Sequence, residues 1–150
     1  MVCAIFAPIA YRALQHGYEA RFVDFPDLSI EVRWTLDEML AYVGTDARLS
    51  PAATRQALEE AVGQSFNCVT VDGDTSTNDS CVLFATAQVG TQDIGIDDPD
   101  YPAIAAAVAE VCVELAQAIV RDGEGATRFI TIDVRGARSE GEARLAAYAL

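Results

Sequence analysis

The polar run at residues 72–79 holds the densest set of side chains that could do chemistry: three carboxylates, three hydroxyls and one amide, with no apolar residue among them. It follows a stretch of alternating apolar and polar residues, and the loop after a strand is a common position for ligand contacts. A calcium loop of the EF-hand type does not fit, because its sixth and twelfth positions, counted from Asp72, hold Thr77 and Leu83. Such side chains also hold tight turns through hydrogen bonds to the backbone, so a ligand-contacting loop and a structural turn both stay open. The candidate contact residues are Asp72, Asp74, Thr75, Thr77 and Asn78.

Glu124 is a second candidate, because it stands between two glycines, Gly123 and Gly125. Glycine on both sides allows the backbone to adopt angles that other residues avoid and to approach a ligand closely. A carboxylate in such a turn could bind an amine or act as a general acid or base. An exposed loop glutamate beside a helix-capping glycine has the same sequence, so the pattern alone leaves the role of Glu124 open.

The four cysteines are Cys3, Cys68, Cys81 and Cys112, and the only histidine is His16. No two cysteines form a C-x-x-C pair, and the histidine is not close to any of them in the sequence, so no zinc site is predicted. Each cysteine lies in an apolar run, which predicts buried free thiols and a reducing, cytoplasmic compartment. The sequence also lacks a P-loop, a G-x-G-x-x-G fingerprint and a G-x-S-x-G elbow, which are the motifs of several common chemistries.

The charge balance excludes several classes of partner. Ten Lys plus Arg against 23 Asp plus Glu give a net charge of −13 and a pI near 4.2, which repels the phosphates of nucleic acids and of anionic membranes alike. With 150 residues, 51% of them hydrophobic, the chain is long enough for about one globular domain. We therefore expect a globular protein that binds neither nucleic acid nor membranes.

The longest apolar run, residues 102–120, has the length of a membrane-spanning helix. Glu110 and Glu114 lie at its middle, where one charge costs roughly 2.5–3.5 kcal/mol in a bilayer. This run is therefore predicted to form a helix buried against a sheet. The N-terminus has no basic region before its apolar stretch, so no secretory signal is predicted.

Two further helices have clear start signals. Ser50 before Pro51 is typical of a helix start, and Gly63 is typical of a helix end. Ser139 and Glu142 have the spacing of a capping box, which also starts a helix. The predicted helices are residues 51–62, 102–121 and 140–150.

The remaining elements are strands and loops. The predicted strands are residues 2–13, 18–25, 29–34, 65–71, 81–87 and 127–134. A Gly- and Asp-rich loop is predicted over residues 90–100. The segment 36–45 stays open, because Thr35 and Glu38 have capping-box spacing, whereas the short apolar run that follows suits a buried strand equally well. Strands followed by apolar helices predict an α/β domain of layered sheet and helices.

Beyond residue 39 the chain resembles the ornithine acetyltransferase family, also called bifunctional glutamate N-acetyltransferase. The match is carried by four stretches, residues 39–51, 65–80, 121–137 and 139–149. The run VDGDTSTND in the second stretch is the most specific, because such a sequence is improbable by chance. The resemblance implies a fold of the N-terminal-nucleophile-like type for residues 39–150, corresponding to most of the family's C-terminal (β) subunit and truncated at its end.

The resemblance also implies an activity in arginine biosynthesis, in which an acetyl group passes from N-acetylornithine to glutamate. The family's precursor cuts itself before a threonine, and the freed threonine becomes an N-terminal nucleophile whose own amine acts as its base. By the same correspondence, Glu124 matches a glutamate that contacts the amine end of the substrate. The threonine should directly precede Met39, but this sequence has Glu38 there. We therefore expect a family member with impaired activity, no metal or cofactor, and an oligomer or a missing-subunit partner.

Residues 18–42 resemble the HicB-type antitoxin fold, which combines a strand pair, an F-P-D turn and a T-L-x-E helix. Together the two resemblances divide the chain into residues 1–38, N-terminal strands that resemble HicB, and residues 39–150, which resemble the acetyltransferase β subunit. The resemblance to HicB implies an alternative function, a non-catalytic binding module that caps a basic toxin. The net charge of −13 favours such a partner.

Overall fold

The computed structural model describes residues 23–25, 28–35, 40–71, 73, 79–123 and 125–149. Within these ranges lie one four-stranded sheet, three α-helices and a short 3₁₀ helix. This is the mixed α/β architecture that the sequence predicts. The predicted strand at residues 2–13, most of the strand at 18–25, Cys3 and His16 lie outside the described residues.

The sheet has the strand order β1-β2-β3-β4. Its strands are β1 at Val23–Phe25, β2 at Leu28–Thr35, β3 at Leu40–Leu49 and β4 at Ser80–Ile94. The β1–β2 and β2–β3 pairs are antiparallel, whereas β3 and β4 are parallel. The strand predicted at residues 29–34 is confirmed as β2, and the connection from β2 to β3 contains residue 38.

The described part of the segment that the sequence leaves open is a strand. Along β3, Ala41, Val43 and Ala47 are at most 2% exposed, so alternate side chains face the core. β2 pairs with one edge of β3 and β4 with the other, which satisfies its backbone hydrogen-bonding groups. The period-two burial therefore prevails over the capping-box signal, and Thr35 is the last residue of β2.

The first helix, α1, spans Pro51–Gln64 and starts as predicted. The Ala53 N–H donates to the Ser50 hydroxyl oxygen at 3.2 Å. The prediction that Gly63 ends the helix is wrong, because Gly63 lies inside α1 and Ser65 is the C-cap. The Ser65 hydroxyl donates to the Ala61 carbonyl at 2.6 Å, so a side chain satisfies a terminal carbonyl without a left-handed glycine.

The core is built around the second helix, α2, which spans Tyr101–Arg121. Ala53, Ala57 and Ala61 of α1 are 0% exposed, and their four-residue spacing forms one smooth face that allows α2 to approach closely. α2 is long and apolar enough to cross a membrane by length and composition. In this fold it contributes nine buried residues to the core, as predicted.

The third helix, α3, spans Glu140–Tyr148 and confirms the terminal helix. The Glu142 N–H donates to the Ser139 hydroxyl oxygen at 3.2 Å. The Glu142 carboxylate accepts from the backbone N–H of Arg138 at 3.2 Å. In the usual capping box, the N3 carboxylate accepts from the backbone N–H of the N-cap residue. Here the Glu142 carboxylate accepts instead from Arg138, one residue before the N-cap Ser139.

The strand predicted at residues 65–71 is wrong, because Phe66–Cys68 form a 3₁₀ helix. The Cys68 N–H donates to the Ser65 carbonyl at 2.8 Å, so the backbone closes on itself instead of pairing with a strand. Cys68 was predicted to be buried and is exposed. Apolar neighbours do not bury this thiol, because the 3₁₀ segment contains no buried residue.

The strand predicted at residues 127–134 is also wrong, since no described strand pairs with it. Phe129, Ile130 and Ile132 are 39%, 75% and 47% exposed. Alternation makes a strand only where a neighbour supplies hydrogen bonds and a core covers one face. This segment contacts the end of α2 and not a strand: the guanidinium of Arg121, the last residue of α2, lies 4.4 Å from the centre of the Phe129 ring.

The loop predicted over residues 90–100 starts too early, because β4 continues to Ile94, which pairs with Leu49. Ala87 (φ +57°) and Gly90 (φ +88°) lie near the shifts in the β3–β4 register. The Arg48 guanidinium donates to the Gly90 carbonyl at 3.0 Å and to the Ala87 carbonyl at 2.9 Å. This long-range anchor extends the strand beyond the segment that its local sequence favours.

Candidate active site

The turn that contains position 124 begins where α2 ends. The Asp122 N–H donates to the carbonyls of Ala118 and Ile119 at 3.0 and 3.2 Å. Gly125 has a φ of +74°, a conformation that strains other residues because of their Cβ atom. The Ala126 N–H donates to the Gly123 carbonyl at 2.9 Å, so the chain turns here, with a glycine at a position of positive φ. Glu124 itself lies outside the described residues.

Gly123 in this turn meets the start of the polar run. A Cβ atom built on Gly123 would lie 2.8 Å from Cγ1 of Val71, which is closer than two carbon atoms can approach. Val71 directly precedes residue 72. Gly123, the residue before position 124, is therefore in contact with Val71, the residue before the polar run.

The other end of the polar run meets the start of β3. Ser80 follows Asp79 and pairs in register with Leu40 across the parallel β3–β4 ladder. Parallel strands begin at the same edge of a sheet, so Leu40 and Ser80, the first residues of β3 and β4, lie together at one edge. Position 38 lies two residues before Leu40.

The described flanks of three predicted site segments thus meet in two pairs. Val71 and Gly123 precede residues 72 and 124, whereas Ser80 and Leu40 follow the polar run and the segment that contains position 38. All of the individually predicted site residues lie outside the described residues, so their roles stay predictions. These residues are Glu38, Asp72, Asp74, Thr75, Thr77, Asn78 and Glu124. Within the described ranges, no group of three or more His, Cys, Asp or Glu side chains converges as metal ligands would.

A groove of about 460 Å³ lies next to the turn, between α2, α3 and residues 129–134. The pattern of the sequence did not predict it, because its walls come from distant segments. The basic residue in its described lining is Arg144. Its guanidinium donates to the Gly63 carbonyl at 2.9 Å and to the Glu140 carboxylate at 3.0 Å. The Tyr148 hydroxyl donates to the Asn67 carbonyl. These bonds attach α3 to the end of α1 and to the 3₁₀ helix, so Arg144 and Tyr148 stabilise the fold.

Comparison with known proteins agrees with the resemblance. The sequence model of the ArgJ family matches residues 32–150. The arginine biosynthesis bifunctional protein ArgJ of Methylococcus capsulatus is 55% identical over 107 residues, which cover 71% of this chain and 26% of that protein. The protein of the same name from Neisseria meningitidis serogroup A is 48% identical over 113 residues, covering 75% and 28%. The chain thus spans about a quarter of the length of these curated relatives.

A crystal structure of the arginine biosynthesis bifunctional protein ArgJ from Bacillus halodurans shares the fold, with a TM-score of 0.69 and 39% sequence identity. The match covers 73% of this chain and 52% of that one. The family model covers well over half of the sequence, and the fold agrees with it. The chain therefore belongs to the ArgJ family.

Proposed function

We propose that this chain forms the β-subunit part of a site for acetyl transfer between N-acetylornithine and glutamate. Membership of the ArgJ family supports this, as do relatives whose names place them in arginine biosynthesis. The substrates are small molecules, and we place the reaction in the cytoplasm. An acetyl ester on a hydroxyl needs no metal or cofactor, because the enzyme group itself carries the acyl group.

The observation that carries the proposal is the contact of Gly123 with Val71. It brings Gly123, the residue before Glu124, against Val71, the residue before the polar run. We propose that the Glu124 carboxylate pairs with the substrate ammonium, since a charge-assisted hydrogen bond of this kind is short and strong. The polar run, with Asp72, Asp74, Thr75, Thr77 and Asn78, would line the path from that carboxylate towards position 38.

Glu38 limits what this site can do. An N-terminal threonine offers a hydroxyl to attack the acetyl carbonyl and an amine to take its proton. A glutamate at position 38 has neither group in that arrangement, so self-cleavage and acyl-enzyme formation both fail in our proposal. The chain then binds the substrate without transferring its acetyl group, and a partner chain or second subunit would supply the rest of the site.

Calorimetric titration of the full chain with N-acetylornithine tests the binding step. Loss of one charge-assisted pair costs about 1.5–3 kcal/mol, so Glu124→Gln should weaken binding about tenfold or more. Glu110→Gln is the matched control, because it removes one exposed carboxylate from α2 and should bind like the parent chain. Equal affinity of the Glu124→Gln variant and the parent chain would remove Glu124 from the substrate pocket.

A further inference from the structure

Two side chains meet at the ends of the loop that carries Glu124. Arg121 is the last residue of α2, and Phe129 follows eight residues later in the chain. The Arg121 guanidinium lies 4.4 Å from the centre of the Phe129 ring, which is within the range of a cation–π interaction. The contact therefore closes residues 122–128 into a loop, and Glu124 is one of its residues.

A hydrogen bond orients the guanidinium for this contact. Nη2 of Arg121 donates to Oε1 of Gln117 at 2.9 Å. Residues four apart lie on the same face of a helix, so Gln117 holds the guanidinium from the side of α2. The guanidinium therefore links α2 to the chain that follows the loop.

The two halves of the loop are attached in different ways. Backbone hydrogen bonds and one close side-chain contact attach the first half, at Asp122, Gly123 and Ala126. Within the described ranges, residues 127–129 form no backbone–backbone hydrogen bond. The contact of Phe129 with Arg121 is therefore what the described geometry offers to fix the second half.

We propose that Arg121 and Phe129 are positioning residues, which close the loop and hold the Glu124 carboxylate where the substrate ammonium binds. This inference rests on the proposed function of Glu124. The charge of Arg121 does not explain such a role, because a cation repels an ammonium ion. Any gain in affinity that depends on both Arg121 and the ring therefore comes from the shape of the loop.

Calorimetric titration of full-chain variants with N-acetylornithine tests this role. A cation–π contact at an exposed site corresponds to a factor of about two to five in an equilibrium constant. Arg121→Gln and Phe129→Leu should each weaken binding by about that factor. The double variant should bind no more weakly than either single variant, since both changes remove the same contact.

Two further variants separate the aromatic ring from general packing. Phe129→Tyr keeps a ring at this position and should bind like the parent chain. Ile130→Ala is the matched control, because it shortens the neighbouring apolar side chain, which is 75% exposed. Affinity that falls as much in Phe129→Tyr as in Phe129→Leu would contradict a role for the ring.

Tryptic cleavage after Arg128 measures closure of the loop without any substrate. Proteolysis of a folded protein follows the population that is locally open, and the Phe129 ring has to leave Arg121 before the neighbouring peptide bond can enter the protease. Arg121→Gln and Phe129→Leu should therefore raise the rate of this cleavage by about two- to fivefold. Cleavage after Arg138, which lies outside the loop, is the internal reference.

The outcomes separate this inference from the proposed function. Unchanged cleavage after Arg128 in both variants would overturn the closed loop. Parent-like affinity of both variants, in a chain whose affinity falls with Glu124→Gln, would overturn the positioning role and leave the proposed function intact. Parent-like affinity of Glu124→Gln would instead overturn the proposed function, and with it the role of the Arg121–Phe129 contact in binding.

Discussion

Gly123 and Val71 are in such close contact that the glycine has no room for a side chain. A Cβ atom at position 123 would lie 2.8 Å from Cγ1 of Val71. The contact joins the chain just after α2 to the residue that precedes the polar run, about fifty residues apart in the sequence. It therefore brings together the described flanks of two predicted site segments.

Gly123→Ala should destabilise the protein. The φ angle of Gly123 is not in the left-handed region, so alanine would gain about 0.4–1 kcal/mol from the unfolded state if space allowed. The clash with Val71 outweighs this, because crowding a packed contact costs about 1–3 kcal/mol. We expect a net loss of about 1 kcal/mol in the free energy of unfolding, measured by urea titration.

Val71→Ala tests the cause of that loss, because it removes the methyl group that would clash. A double-mutant cycle of Gly123→Ala with Val71→Ala should give a favourable coupling of about 1 kcal/mol. Gly125→Ala is the control: nothing lies within 4 Å of its Cβ position, but its φ is +74°. Gly125→Ala should lower the free energy of unfolding by about 1–2 kcal/mol through backbone strain, and by the same amount in the Val71→Ala background. Additive effects at positions 123 and 71 would contradict the contact.

Tyr101→Phe should stabilise the protein. Tyr101 is 5% exposed, and its hydroxyl has no hydrogen-bond partner among the described residues. An unsatisfied buried polar group costs about 1–3 kcal/mol, so its removal should raise the free energy of unfolding by about 1 kcal/mol at neutral pH. Tyr42→Phe is the control, because Tyr42 is 37% exposed and stacks on Phe84. A loss of stability in Tyr101→Phe would show that the hydroxyl is bonded.

The same tyrosine predicts a pH dependence. Burial, and after it the negative charge of Glu60, raise the pKa of Tyr101. The unfolded chain therefore loses the phenolic proton first, at about pH 10. Stability from this group is complete below that pH and falls as the pH rises through the pKa of the folded state. The stability advantage of Tyr101→Phe should grow above about pH 10, whereas a constant difference would exclude a raised pKa.

Ser50→Ala should destabilise the start of α1. The Ser50 hydroxyl oxygen accepts the Ala53 N–H at 3.2 Å, and loss of such a cap costs about 1 kcal/mol. Ser50→Asp keeps an acceptor and should retain the stability of the parent chain. Urea unfolding of the three proteins measures the difference. Equal stability of Ser50→Ala and the parent chain would mean that the hydroxyl bond contributes nothing.

Arg144→Ala should loosen α3 without unfolding the core. The guanidinium donates to the carbonyls of Gly63 and Asn67 at 2.9 and 3.3 Å, so it attaches α3 to the end of α1. Amide hydrogen exchange of α3 should become faster in this variant, while that of α2 stays unchanged. Arg138→Ala is the control, because its pair with Glu142 is mostly exposed and contributes little. Unchanged exchange in α3 would contradict an anchoring role for Arg144.

Signals between neighbouring residues predicted the helix starts and the buried helix. Ser50 and Pro51 start α1 as expected, Ser139 starts α3, and the apolar run of α2 is a core helix. The family could be identified from the polar run, since few sequences would have that order of Asp, Thr, Ser and Asn. These features depend on neighbours in the chain, so one sequence is enough to find them.

Features that depend on distant partners could not be predicted. Ile130 and its neighbours alternate like a strand, but alternation does not supply the second strand that a ladder needs. The extension of β4 past Gly90 depends on bonds from Arg48, and the exposure of Cys68 depends on a 3₁₀ helix. The contact of Gly123 with Val71 joins segments that only the fold brings together.

The most direct test of the account is intact-mass analysis of the full chain after incubation with N-acetylornithine and glutamate, with free ornithine measured in the same samples. In our proposal Glu38 takes the place of the family's nucleophile, so we predict no acetyl ester on the protein and no ornithine above the level without protein. An acetylated threonine, or steady release of ornithine, would contradict the claim that this site binds without transfer.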